Sequence, residues 1–67
     1  MDLTYDPSAN AAYLALGPRA EGDVAESIPV TSRAGDVGLV VDLASDGRVL
    51  GIEFLDASRQ LPGCIEG

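Results

Sequence analysis

Apolar and polar residues alternate over the first five positions. Met1, Leu3 and Tyr5 fall on one side of an extended chain, Asp2 and Thr4 on the other. Period two is the pattern of a half-buried strand. Asp6-Pro7 ends it, and Asp before Pro is a helix-start signal, so Ser8 to Ala11 is expected to form a helical turn. Ala12 to Leu16 fits either of two elements. Its alanines favour helix; the Gly17-Pro18 stop so soon afterwards favours a strand. Arg19 to Asp23 reads as a polar loop. From Val24 to Val30 the alternation returns, with Val24, Ile28 and Val30 in phase and Glu26 intruding. Pro29 has no N–H to give a ladder, so this strand belongs at a sheet edge.

The strongest pattern runs from Val37 to Leu55. Two apolar runs, Val37–Leu43 and Val49–Leu55, flank Ala44-Ser45-Asp46-Gly47-Arg48. Asp-Gly between such runs signals a hairpin. A two-residue turn at Asp46-Gly47 sets Leu43 against Leu50, Val41 against Ile52 and Leu39 against Phe54, all on one face. A three-residue loop sets Leu43 against Val49 and Val41 against Gly51, which disperses that face, so burial favours the two-residue turn. The opposite face carries Gly38, Val40, Asp42, Val49, Gly51, Glu53 and Leu55. It is half apolar and is expected to be covered in part by the C-terminal segment or a second subunit. Asp56 to Leu61 fits an N-capped helical turn stopped by Pro62-Gly63.

Together these elements predict an α+β, mainly β fold: an antiparallel meander of four to five short strands with one or two short helical turns. Residues 1–61 are expected to form one compact domain, with 62–67 as a flexible C-terminal tail. Leu3, Leu14, Leu39, Val41, Leu43, Leu50, Ile52 and Phe54 are the expected core.

Composition narrows the function. With 67 residues the chain buries only ~60% of the surface its unfolded form exposes, and domains of this size lean on a disulfide, a metal or a second copy. Cys64 is the single cysteine and there is no histidine, so neither an internal disulfide nor a structural zinc site is available within one chain. A homodimer is the remaining support. Eleven carboxylates face four arginines and no lysine, a net charge of −7. The arginines are scattered singly, which argues against nucleic-acid binding. Attraction to a small basic protein is the sharper reading of such acidity; solubility is the plainer one. No apolar run is long enough to span a membrane. The first residues lack the pattern of a signal peptide, and with the lone cysteine this makes the cytoplasm the expected location.

Several constellations bear on chemistry. Asp42 to Glu53 matches a calcium-binding loop at Asp42, Asp46, Gly47, Val49 and Glu53, yet Ala44 removes a ligand and both flanks have strand character, not helix. A hairpin accounts for it better. In that hairpin Asp42 and Glu53 share a face as diagonal neighbours, about 7–8 Å apart. Such a pair is the minimum for a carboxylate-based hydrolase or a cation site, provided a pocket lies between them. A solvated polar patch is the plain alternative. The serines have no His or Lys to act as base, so the usual nucleophile sets cannot form and no enzyme is expected. No cofactor motif is present, and no metal is expected. Tyr5 and Tyr13 are either ring-in, hydroxyl-out packing residues or a recognition patch near Asp6. The interaction candidates are therefore Tyr5, Asp6, Tyr13, Asp42 and Glu53.

Tyr5-Asp6-Pro7, Ala12-Tyr13-Leu14, Val41-Asp42, Asp46-Gly47, Gly51-Ile52-Glu53 and Leu55-Asp56-Ala57-Ser58 occur in an order that resembles the small prokaryotic family called domain of unknown function 2283. The resemblance covers roughly residues 1 to 60. It implies a compact fold of strands with little helix. Members stand in some cases beside small toxin-like proteins, so it also implies, as an alternative role, an antitoxin-like partner of a small basic toxin. One departure stands out, beside one variable stretch. Ala44 occupies a position that is often acidic in the family, and the loop from Gly17 to Asp23 is of a variable kind. The function expected from all of this is non-catalytic protein–protein interaction.

Overall fold

The computed structural model describes residues 1–17 and 23–65. Residues 18–22, most of the expected Arg19–Asp23 loop, and the last two of the expected tail lie outside the described residues. Five strands form one antiparallel sheet: β1 (Asp2–Asp6), β2 (Ala11–Ala15), β3 (Glu26–Thr31), β4 (Val37–Leu43) and β5 (Val49–Phe54). Two single-turn helices follow, α1 (Ala57–Gln60) and α2 (Pro62–Ile65), the second within the stretch 62–67.

The strand order is β1-β2-β5-β4-β3, so the sheet is mainly β as expected but is not a simple meander. Pro29 supplies the physical reason. In a meander β3 would lie in the middle, and a central proline leaves a ladder acceptor without its donor. Here the chain leaves β2, crosses to the far side and lays β3 down as an edge, so β2 pairs with β5 instead.

Ala11–Ala15 is strand, which resolves the ambiguity over Ala12–Leu16. The helical turn expected over Ser8 to Ala11 does not form. Asp6 does what an N-cap does, accepting from the backbone N–H and the hydroxyl of Ser8 at 3.1 and 2.7 Å. The chain then folds back through a Pro7–Asn10 turn, with Asn10 at φ 50°, and returns as β2. Asn is among the few side chains that tolerate this backbone. Pairing with β1 along Leu3↔Leu14 and Tyr5↔Ala12 recovers more ladder bonds than one isolated helical turn.

The β4–β5 hairpin corrects the expected turn. Its loop has three residues, Ser45 to Gly47, closed by Ala44 N–H to Arg48 O at 2.9 Å and Gly47 N–H to Ala44 O at 3.0 Å. Gly47 at φ 92° completes a type I turn that a β-carbon would strain. Leu43 therefore faces Val49, not Leu50. A bulge between Asp42 and Leu43 then takes up the extra residue. Beyond it Val41↔Ile52 and Leu39↔Phe54 pair as the two-residue turn required. The β3–β4 turn repeats the device, with Gly35 at φ 92° and a register shift at Val30/Thr31.

The expected core shares a face but is not buried. Only Ala12, Ala44, Leu50, Gly51 and Ala57 are buried among the described residues. Of the eight expected core residues Leu50 alone is inside, while Leu3 is 37% exposed and the others are half-buried. Among the described residues their face has no full second layer against it.

Candidate functional site

Strand registers sort the side chains into two faces with different chemistry. Leu14↔Ile52, Ala12↔Phe54, Val41↔Ile52 and Ile28↔Val41 run across the sheet on one face, joined at its margin by Leu3 and Tyr5. By strand alternation Glu26 is the one carboxylate among the strand residues of that face. The other face gathers Asp2, Asp6, Asp42 and Glu53 together with Thr4, Tyr13 and Ser27.

On the acidic face, Asp42 sits at the centre of a hydroxyl-lined bridge across four strands. Tyr13 Oη donates to Asp42 Oδ2 at 2.9 Å from β2, and Ser27 Oγ donates to Asp42 Oδ1 at 2.8 Å from β3. The Tyr13 side chain passes over β5 at Gly51, where a β-carbon would run into its ring and hydroxyl. Gly51, Asp42's register partner, leaves the space that the ring needs. Asp42 and Glu53 are diagonal neighbours, as the hairpin register requires, since Glu53 pairs with Val40 and Asp42 with Gly51. Of the two, Glu53 lines the cleft beside β1 and Asp42 does not.

A shallow cleft of about 350 Å³ lies beside β1, lined by Thr4, Tyr5, Asp6, Ala11, Tyr13 and Glu53 among others. Four of the five candidate residues therefore meet around one cleft. The fifth, Asp42, is tied to it through Tyr13. Ser8 holds the Asp6 carboxyl below the usual carboxylate range, first through its hydroxyl and then through its backbone N–H. At the far turn, the Arg48 backbone N–H leads in doing the same for Asp46, and the Arg48 guanidinium adds a hydrogen bond and its charge. Among the described residues no group of three or more His, Cys, Asp or Glu side chains is placed to hold a metal ion. No helix of the described residues is long and apolar enough to cross a membrane.

Asn10 and Gly51 are the structural partners that reading the sequence missed. The Asn10 carbonyl accepts from Ala57 N–H at 3.0 Å, and its side-chain oxygen accepts from Ser58 N–H at 2.9 Å. Its amide nitrogen donates to Asp56 Oδ1 at 2.9 Å. The start of α1 is thus capped from the β1–β2 loop, not by Asp56, whose side chain makes no capping bond. Gln60 closes the other end of α1 onto the sheet through Gly38 O at 2.8 Å. A glycine inside a strand is a signal for close approach, and at Gly51 it was available.

The profile of the family described as Protein of unknown function (DUF2283) matches residues 2–58, from the start of β1 to the first turn of α1. The chain belongs to this family. The match takes in the whole sheet and the Asn10–α1 junction. It bears out the resemblance carried by the Tyr-Asp-Pro, Asp-Gly and Gly-Ile-Glu segments. Neither the curated proteins nor the solved structures contain a match to the chain.

Proposed function

We propose that the protein is a non-catalytic interaction module that works as a homodimer, the apolar faces of two sheets packed on one another. One observation carries this reading: the apolar face of the sheet has no layer against it among the described residues. Tyr5, Ile28 and Val30 are 38 to 41% exposed, and among the described residues no large side chain is fully buried. Domains are stable when two layers pack around a core, and one layer supplies half of that.

Area and charge both favour a second copy as the covering layer. The molecule measures 33 × 27 × 18 Å, so its broad face spans on the order of 900 Å², close to the ~800 Å² per partner of a standard stable interface. Covering half of it is worth on the order of 10 kcal/mol per copy at about 25 cal/mol per Å², before the cost of association. That is large beside the ~3–5 kcal/mol that a core supplies in a chain this short. Charge does not oppose the pairing despite the net −7. Most strand carboxylates lie on the other face and point away from such an interface.

Light scattering in low and high salt tests this. A dimer that persists in high salt is the expected result, because apolar burial is not screened. Ile52→Asp, in the middle of the face, is expected to break it. A folded monomer at high protein concentration in both buffers overturns the reading.

A further inference from the structure

The two edges of the sheet differ in how they are protected. Exposed edges invite pairing with another chain, and natural sheets blunt them with proline, lysine, bulges or cover. β3 has two of these devices: Pro29 in mid-strand and the register shift at Val30/Thr31. β1 has none. All five of its residues are exposed, it pairs only with β2 among the described residues, and its register is regular from Asp2 to Asp6. Every second residue of an antiparallel edge directs both its N–H and its C=O outward, so β1 is an open template for one more strand.

Its side chains specify what that strand would be. Asp2, Thr4 and Asp6 line one side of the edge; Leu3 and Tyr5 line the other. We propose that β1 accepts an extended segment of a partner protein in which basic and apolar residues alternate, the basic ones lying over the acidic face. Cross-strand neighbours stand about 4.5–5.5 Å apart at their β-carbons, within ion-pair reach for arginine or lysine. A long basic side chain opposite Asp6 would lean over β1 toward the cleft walled by Thr4, Tyr13 and Glu53. Its cation would find a carboxylate and an aromatic ring there. The neighbouring apolar residues of the added strand would extend the face that carries Leu3 and Tyr5.

A second copy is the poorer occupant of this edge. Two β1 strands paired antiparallel about Thr4 would set Asp2 against Asp6 twice, and like charges directly opposite one another destabilise a sheet. Self-pairing and basic-strand capture thus use different surfaces, and neither depends on the other.

The experiment uses the full chain and a short synthetic peptide alternating arginine and valine. Two controls accompany it: a block peptide of the same composition, and the alternating peptide with alternate amides N-methylated. N-methylation leaves charge and side chains intact and removes the strand's donors. The alternating peptide is expected to bind and to slow hydrogen exchange at outward β1 amides. The N-methylated form is expected to bind at least about tenfold more weakly, the loss of two or so net hydrogen bonds. Asp2→Asn with Asp6→Asn is expected to weaken binding by roughly two- to thirtyfold, the range for two exposed ion pairs. Equal binding of all three peptides would mean charge attraction without strand addition and overturn the proposal. Absence of binding, or protection at β3 instead of β1, overturns it too. A monomer in light scattering with peptide binding intact would leave this proposal standing and remove only the dimer.

Discussion

Gly51→Ala is the sharpest test of how the acidic face is built. The added β-carbon would lie 2.7 Å from Tyr13 Cε2 and closer still to the ring end, so the Tyr13 ring has to swing away. Its 2.9 Å bond to the Asp42 carboxylate is then lost. A hydrogen bond to a charged group contributes about 1.5–3 kcal/mol. Against this, replacing glycine by alanine in an extended segment returns about 0.4–1 kcal/mol by restricting the unfolded chain. The net expectation is a loss of about 1–2 kcal/mol. The assay is urea unfolding by circular dichroism at fixed protein concentration, read as a midpoint shift at constant slope. A double-mutant cycle isolates the cause. In a Tyr13→Ala background the obstacle is gone, so Gly51→Ala is expected to be neutral or stabilising there, by up to about 1 kcal/mol. Equal destabilisation in both backgrounds would refute the account, because the penalty would then arise from the strand itself and not from the ring.

Asn10→Ala removes the side-chain cap of α1 and the bond to Asp56, and it leaves a β-branch-free but less tolerant residue at φ 50°; a loss of about 1–2 kcal/mol in the same unfolding assay is expected. Asn10→Gly, which keeps the backbone freedom, is expected to recover part of that loss, and no difference between the two would count against the strained-backbone share. Ser8→Ala is expected to raise the Asp6 pKa toward the ordinary carboxylate value, seen in a carboxyl-carbon NMR titration, since the Ser8 hydroxyl is the leading cause of its depression. A folded pKa below the unfolded one contributes stability that is present above the unfolded value and disappears as pH falls through the folded value. Ser8→Ala is therefore expected to lower stability at neutral pH, with the difference from the parent chain fading as pH falls through the folded Asp6 pKa; an unmoved Asp6 pKa would refute the assigned cause.

Much of the sheet was legible residue by residue. Alternation in Met1–Tyr5 and in Val37–Leu55 marks strands and the face each side chain takes, because period two is a local property of extended chain. Asp46-Gly47 marks the hairpin, and the diagonal placement of Asp42 and Glu53 follows from counting outward. Pro29 carried more than was drawn from it. A proline that belongs on an edge strand is incompatible with a meander that puts the same strand in the middle, so the two expectations excluded one another. The bulge at Asp42/Leu43 was not legible, since a loop of three residues plus a bulge preserves the Val41–Ile52 and Leu39–Phe54 pairs of a loop of two without one. Asp6-Pro7 was ambiguous for a related reason: an Asp that accepts from the N–H two residues on serves a helix start and a hairpin turn alike.

The sequence alone determined where extended segments lie, which residues share a face, that the net charge is acidic, and to which family the chain's motifs point. These follow from short-range geometry and from composition. Tertiary structure decided the strand order, the capping of α1 by Asn10, the meeting of Tyr13, Asp42 and Ser27 over Gly51, and above all that a shared apolar face is not a buried one. Each of these depends on which distant segments come together. Alternation specifies the side of a strand on which a leucine lies, but burial requires a second surface opposite it, and among the described residues the chain does not provide one.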